Sequence, residues 1–394
     1  MFFGGIVKND HFELLDEVQQ EINAQKISSE EIIYGGVDNS IFLFGNNISG
    51  KNGKTRGIFG GLRKLEVCRE FLEMERDFLG RKALFWGGNE KILIISDIPR
   101  VGRFILGSVP PGVRFRYDEG RISINSNSLT FTGYMRINAS KKNLTQLIAG
   151  SVKESLQKKE KVGIMFSGGV DSTTIAQVSK KYCKSESKPI LISVGFEDSE
   201  DVGWAERISR KLGMELLLAI VDEEKVLKTV EKIQRLFPYK LNLMDEEIGA
   251  IVQIASETAK QKGLKHLITG QGSEELFAGY ERHKSYSECN LNYFLFEELR
   301  GLHLRDLDRN NVIAESNGIN LIAPFLNEEL ISFCSRIPPY EKRRDEKKQL
   351  LRNAAKELGV PDEVCRRKKR AMQYGSGIHG FLMKQRKKMI RKGL

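Results

Sequence analysis

Residues 162–172 read Val-Gly-Ile-Met-Phe-Ser-Gly-Gly-Val-Asp-Ser. A near-continuous apolar run, 162–166, passes straight into Ser167 and two glycines, and then into 172–182, whose spacing predicts a helix. When a buried strand opens through glycines into a helix, backbone N–H groups can approach an anion, and the helix dipole adds partial positive charge. The stretch therefore reads as a phosphate loop. Ser167 and Ser172 add hydroxyl donors, whereas Asp171 cannot bind phosphate directly and suits a magnesium ion that neutralises it. A plain glycine turn with a serine N-cap is the alternative, and the flanking strand and helix weigh against it.

Working outward, apolar runs over 190–194 and 216–220 alternate with a helical pattern over 201–212. Strands of about five apolar residues separated by amphipathic helices are what a parallel sheet covered on both faces requires. The fold class expected is α/β, a doubly wound parallel sheet. A long helical stretch ending near Lys262 precedes a further buried strand over 267–269, and His266, which opens that apolar run, is assigned a packed strand position rather than a ligand's. Beyond Gly279 the pattern is helical nearly to the end, broken at Pro324, Pro338, Pro339 and Pro361. Upstream, Asn143 and Gln146 form a capping box for a helix carrying Leu144, Leu147, Ile148, Val152 and Leu156.

The chain divides near residue 140, giving domains 1–138 and 139–394. In the first, β-type runs over 41–44, 83–86, 92–96 and 121–124 lie between Gly, Asn and Pro breakers and predict a mainly antiparallel, strand-rich α+β domain. One helix is expected within it, over 62–79. No repeat or low-complexity tract is present.

Composition narrows the functional classes. Of 394 residues, 40% are apolar and 29% charged, and apolar stretches such as 216–221 are far too short for a bilayer. Residues 1–7 carry no basic leader, so a cytoplasmic protein is expected. Cysteines 68, 183, 289, 334 and 365 form no Cys-x-x-Cys pair and the five histidines show no ligand spacing, so neither a disulfide framework nor a transition-metal site is expected. Residues 341–394 hold eighteen Lys or Arg against six Asp or Glu, a net +12, and the rest of the chain sums to −1, so all of the chain's +11 excess is C-terminal. Such a stretch could attract RNA, nucleotide phosphates or an acidic partner, or form a solvated helix face.

Ser167-Gly168-Gly169-Val170-Asp171-Ser172 matches the pyrophosphate loop (PP-loop) of the ATP pyrophosphatases, which cleave ATP between the α- and β-phosphates. It lacks the Gly-Lys-Ser/Thr of a Walker loop. Gly270-Gln271-Gly272-Ser273-Glu274-Glu275-Leu276-Phe277-Ala278-Gly279-Tyr280 resembles the signature of glutamine-hydrolysing asparagine synthetases. Ser193-Val194-Gly195-Phe196-Glu197-Asp198-Ser199, Arg305-Asp306-Leu307-Asp308-Arg309 and Pro324-Phe325-Leu326-Asn327 support it in order and spacing. Arg367-Lys368-Lys369, followed by Gly375-Ser376-Gly377, resembles the segment that supplies an active-site lysine. The likeness covers about residues 140–380 and implies an adenine nucleotide α-hydrolase-like sheet with a helical C-terminal extension.

The resemblance implies that Ser167, Gly168, Gly169 and Ser172 hold the β- and γ-phosphates of ATP, that Val194 and Gly270 contact adenosine, and that Asp171 and Glu274 bind magnesium. Lys369 and Gln271 stand at the catalytic positions, Lys369 over the α-phosphate or acyl-adenylate. The family's aspartate is Glu274 here, which keeps the carboxylate. Its proton-accepting glutamate is Gln271, an amide that cannot act as a base. Asn320, Ile322 and the run Met244-Asp245-Glu246-Glu247 also depart from the family's acceptor pocket. In the front domain, Asp97-Ile98-Pro99-Arg100-Val101-Gly102 and Val109-Pro110-Pro111-Gly112 resemble landmarks of a class II, Ntn-hydrolase-like glutaminase. Its nucleophilic cysteine is absent, since Phe2 and Phe3 follow Met1.

The function expected is an ATP- and magnesium-dependent ligase that adenylates a carboxylate and passes the acyl group to an amine without hydrolysing glutamine. Its partners would be small-molecule carboxylate and amine substrates, with an RNA or acidic partner at the basic C-terminal stretch and a homodimer as further expectations, and no membrane. Two alternatives stand beside it: an ATP-dependent tRNA-modifying enzyme of the same superfamily, and a catalytically weak nucleotide-binding protein serving regulation.

Overall fold

The structure, a computed structural model, describes residues 71–391 apart from 90–91, 102, 119–120, 127–142, 158, 160, 184–187, 344–346 and 368–371. Before residue 71 it describes strand segments alone. The chain forms two compact units: residues 1–129 with 235–240 and 300–312, and residues 130–234 with 241–299 and 313–394.

The first unit is strand-rich. One antiparallel sheet runs, in spatial order, Gly107–Ser108, Phe85–Gly88, Ile92–Ser96, Phe2–Val7, Ile41–Gly45 and Ile33–Gly35. A second runs Arg121–Ser126, Val113–Asp118, Phe71–Arg76, Leu62–Val67, Lys54–Gly57 and Ile48–Lys51. The helix expected over 62–79 is not formed; Leu62–Val67 and Phe71–Arg76 are paired strands. The reason lies outside the segment. Glu73 and Glu75 sit opposite Arg116 and Arg114 of the next strand and ion-pair with them at 3.2 and 2.7 Å, while Met74 and Arg76 alternate with them and are buried. Cross-strand partners reward a period of two that propensity within the segment does not reveal.

The second unit holds the parallel sheet. Helix α1, Leu144–Leu156, starts at the expected capping box: Asn143 accepts from the Gln146 backbone at 2.9 Å and Gln146 accepts in return at 3.1 Å. Then follow β1 (Gly163–Met165), α2 (Val170–Tyr182), β2 (Ile190–Gly195), α3 (Glu200–Leu212), β3 (Leu216–Ile220), α4 (Glu223–Gln234), α5 (Leu243–Gln261) and β4 (His266–Ile268). A fifth strand, β5 (Asn320–Ile322), interrupts a region that reads as helical, because three residues are too few to show a period. All neighbours are parallel, in the order β3-β2-β1-β4-β5. The interior strands are saturated with apolar side chains, with Ile164, Leu191, Leu267 and Ile268 fully buried. The carboxyl ends of β1 and β4 lie side by side in the middle of that order. Both glycine-rich loops leave the sheet there.

The basic segment is not simply a solvated face. Lys342, Lys348 and Arg352 are buried, Arg343 donates to the carbonyls of His283 and Tyr286, and Arg386 pairs with Glu246. Lys342 has no carboxylate partner among the described residues, and burial pushes its ammonium down to about 8. Burial likewise pushes the nearby Cys334 thiol up to about 12. The unfolded chain then holds the lysine proton more tightly than the folded one, so stability rises as pH climbs from about 8 toward the unfolded lysine value near 10.5. Lys342→Met is expected to stabilise the chain by up to about 3 kcal/mol at pH 7, with the gain shrinking toward pH 10.5. Urea denaturation of both proteins at pH 7 and pH 10 checks this; a variant no more stable at pH 7 would contradict it.

No helix among the described residues is long and apolar enough to cross a membrane.

Candidate active site

The loop after β1 is shaped by one backbone angle and one indole. Gly168 has φ +67°, a left-handed conformation that costs any other residue about 1–2 kcal/mol. A Cβ there would lie 2.5 Å from Cδ1 of Trp204, on α3, whose Nε1–H donates to the Gly168 carbonyl at 2.8 Å. With that carbonyl turned onto the indole, Gly169 can serve as the N-cap of α2, and its N–H reaches Ser167 Oγ at 3.4 Å. Ser172 donates to the Gly169 carbonyl at 3.2 Å. Asp171 lies in the first turn of α2 and is buried.

The second loop, after β4, is packed against the first. A Cβ on Gly270 would meet Asp171 Cβ at 3.0 Å, so the two loops touch where the missing side chain permits it. Thr269 donates to Gln271 Oε1 at 3.1 Å, which orients that amide. Gly272, at φ +88°, lies over Leu326, and turns the chain into the short helix α6, Ser273–Leu276. The Pro324-Phe325-Leu326-Asn327 stretch thus acts as a floor: its Pro324 carbonyl accepts from Ser151 on α1, and Phe325 meets Phe277 edge-on at 6.1 Å.

A lysine with no local sequence signal joins the loops. Lys348 Nζ donates to Asp171 Oδ1 at 2.7 Å and Ser273 Oγ at 2.9 Å, and pairs with Glu274 Oε1 at 3.0 Å. Its side chain is 2% exposed. Burial pushes the ammonium below the ordinary lysine value, with the Asp171 carboxylate working against that fall. Lys348 also has φ +58°, uncommon for a residue with a side chain. Gly279 makes room for the pair, since a Cβ there would stand 1.7 Å from Glu274 Oε2.

The C-terminal segment is tied to the same edge of the sheet. Arg367 reaches the Ser167 carbonyl at 3.4 Å, Glu200 at 3.0 Å and Asp201 at 3.1 Å, and its guanidinium stacks over Trp204 at 4.7 Å. Asp201 in turn packs on Gly375, and the Ser376 carbonyl accepts from Phe196 N at 3.1 Å, just past β2. Val194, buried in β2, lies two residues before Phe196. Lys369 lies outside the described residues, between Arg367 and Gly375.

The family model for Asparagine synthase matches residues 143–295 and 287–394, well over half of the chain. The chain belongs to the asparagine synthase family. One relative, named "Putative asparagine synthetase (glutamine-hydrolyzing) 1", from Methanocaldococcus jannaschii, is 31% identical over 312 residues, covering 70% of this chain and 56% of its own. The human asparagine synthetase domain-containing protein 1 is 28% identical over 59% of this chain and 47% of its own, and asparagine synthetase B of Escherichia coli 28% over 60% and 45%. The chain spans about half the length of these relatives.

Within this asparagine synthase family member, the structure brings Ser167, Gly168, Gly169, Asp171, Ser172, Gly270, Gln271 and Glu274 to one edge of the sheet. Asp308, from another stretch resembling the family, is instead buried in the first unit, paired with Arg76 at 2.5 Å and accepting from Ser108 at 2.7 Å. Lys348 and Trp204 were not legible as site residues. Lys347 and Lys348 are identical in sequence, and only the rarity of tryptophan, two in the chain, marks Trp204.

Proposed function

We propose that the chain is an ATP-dependent ligase that adenylates a carboxylate, releasing pyrophosphate, and transfers the acyl group to an amine carried by a substrate. The observation that supports this most is the convergence of Asp171 and Glu274, from two glycine loops, on one buried ammonium beside the Gly168 turn. In a doubly wound sheet the nucleotide lies in the crevice where the strand order reverses, here beyond the carboxyl ends of β1 and β4. There Ser167, Gly168, Gly169 and Ser172 would hold the β- and γ-phosphates, Val194 and Gly270 would flank adenosine, and Lys369 would offset charge on the α-phosphate as AMP leaves.

The donor set fits a magnesium ion. Among the described residues no three His, Cys, Asp or Glu side chains form a metal cluster, but magnesium is commonly held by one or two carboxylates and completes its shell with phosphate oxygens and water. Asp171 and Glu274 supply such a pair; the ion would neutralise phosphate charge.

Gln271 separates this reading from ammonia-dependent asparagine formation. Its amide cannot accept a proton, and its oxygen is already engaged by Thr269. Strand Phe2–Val7, in the middle of the first unit's sheet, carries no thiol, which supports a degenerate class II glutaminase scaffold. A nucleotide-binding protein that regulates without turnover is the second reading, favoured by Gln271 alone. RNA modification draws less support from the basic segment once Lys342, Lys348 and Arg352 are interior.

Exchange of labelled pyrophosphate into ATP, screened over amino acids, small diacids and tRNA, tests the proposal. A carboxylate-dependent signal is expected, lowered at least about a hundredfold in Asp171→Asn. No exchange with any donor, or an equally active variant, would overturn it.

A further inference from the structure

A ligase of this kind must remove a proton from the amine that attacks the adenylate, and Gln271 cannot do so. A different pair of side chains stands at the same edge of the sheet. Helix α5 is joined by four residues, 262–265, to the start of β4, so it runs back against the strands and its first turns lie beyond their carboxyl ends. Glu247 is on that part of α5 and is 2% exposed. It meets Nδ1 of His379 at 2.8 Å. His379 opens a C-terminal helix, Ile378–Arg391, whose approach is fixed at the end of β2. Ser376 accepts from Phe196, Gly377 at φ +83° lies along the Phe196 ring, and Phe381 meets that ring at 5.9 Å.

Two neighbouring charges act on Glu247 in opposite senses, Arg386 favouring its carboxylate and Glu246 disfavouring it. Arg386, two turns along the same helix, is engaged by Glu246 at 2.8 Å. Burial pushes the Glu247 carboxyl above its ordinary value, against the pull of the His379 hydrogen bond. A carboxylate on Nδ1 fixes the tautomer with its proton there and turns Nε2 into the acceptor. No described residue bonds that Nε2; the side chain is 29% exposed, and its ring lies 4.4 Å from that of the exposed Tyr374.

We propose that His379, oriented by Glu247, is the general base of the acyl-transfer step. This rests on the ligase reading above. The amine nitrogen forms the new bond to the acyl carbon, the carbon–oxygen bond to AMP breaks with its electron pair going to the phosphate oxygen, and the proton lost by nitrogen goes to Nε2. Glu247 steadies the resulting imidazolium, as carboxylates do for catalytic histidines.

The test separates the two half-reactions. With a carboxylate that supports pyrophosphate exchange in the wild type, transfer is measured to methylamine and glycine amide, and to hydroxylamine, which is unprotonated at neutral pH. His379→Gln is expected to lower amine transfer relative to exchange at least about a hundredfold, while hydroxamate formation falls far less. Glu247→Gln is expected to fall between the two, and added imidazole to restore amine transfer in His379→Gly. Equal losses in exchange and transfer, or an unchanged ratio, would overturn the assignment and leave the ligase reading intact. Absence of exchange in the wild type would remove both.

Discussion

Replacing Gly168 by alanine is expected to lower carboxylate-dependent pyrophosphate exchange at least about a hundredfold and to destabilise the chain by about 2–4 kcal/mol. Two costs combine. The left-handed backbone at φ +67° penalises a side chain by about 1–2 kcal/mol, and the new methyl would stand 2.5 Å from Trp204 Cδ1. Trp204 cannot simply retreat, because its indole holds the Gly168 carbonyl and carries Arg367 on its face. Displacing it would move the Ser167 and Gly168 backbone that is to meet phosphate. Gly169→Ala is the internal control: φ is −72° and the nearest atom, Ser167 Oγ at 3.3 Å, belongs to a side chain that can rotate. Equal losses from the two alanines, in exchange rate and in urea midpoint, would show that the turn's geometry is not what matters.

Lys348→Met is the second large effect, an expected loss of about 3–5 kcal/mol. The substitution preserves much of the side-chain volume but leaves Asp171 and Glu274 facing each other without the ammonium that both contact. The strain at φ +58° remains, with the three contacts that hold it gone. Adding Asp171→Asn removes one of the stranded charges, so the double variant is expected to be more stable than Lys348→Met alone. Magnesium should raise the denaturation midpoint of Lys348→Met more than that of the wild type, because the carboxylates are freed to bind it. An unchanged midpoint in the single variant would mean that the buried pair contributes little.

What could be read from sequence was continuous in sequence. The run from Val162 to Ser172 carries its own strand, turn and helix start, and the interior strands advertise themselves because burial on both faces makes them apolar without interruption. The capping box at Asn143 is legible for the same reason, its two partners being three residues apart. Lys348 is 177 residues from Asp171 in the chain, and nothing local distinguishes it from Lys347, which stays half-exposed and pairs with Glu281. The strands over 62–76 depend on Arg114 and Arg116 across the sheet, and β5 depends on the edge offered by β4. Charge counting missed that Lys342, Lys348 and Arg352 of the basic segment are interior, since composition does not tell a buried lysine from a solvated one.

The proposed chemistry depends on a glycine loop that grips the leaving diphosphate. A crystal structure of the chain with magnesium and α,β-methylene-ATP measures this most directly. The β- and γ-phosphates should lie on the backbone N–H groups of Gly168 and Gly169 and the Ser172 hydroxyl, with metal at Asp171 and Glu274 and the α-phosphate toward the segment between Arg367 and Gly375. A nucleotide bound elsewhere, with no phosphate in the Gly168 turn at saturating ligand, would contradict it.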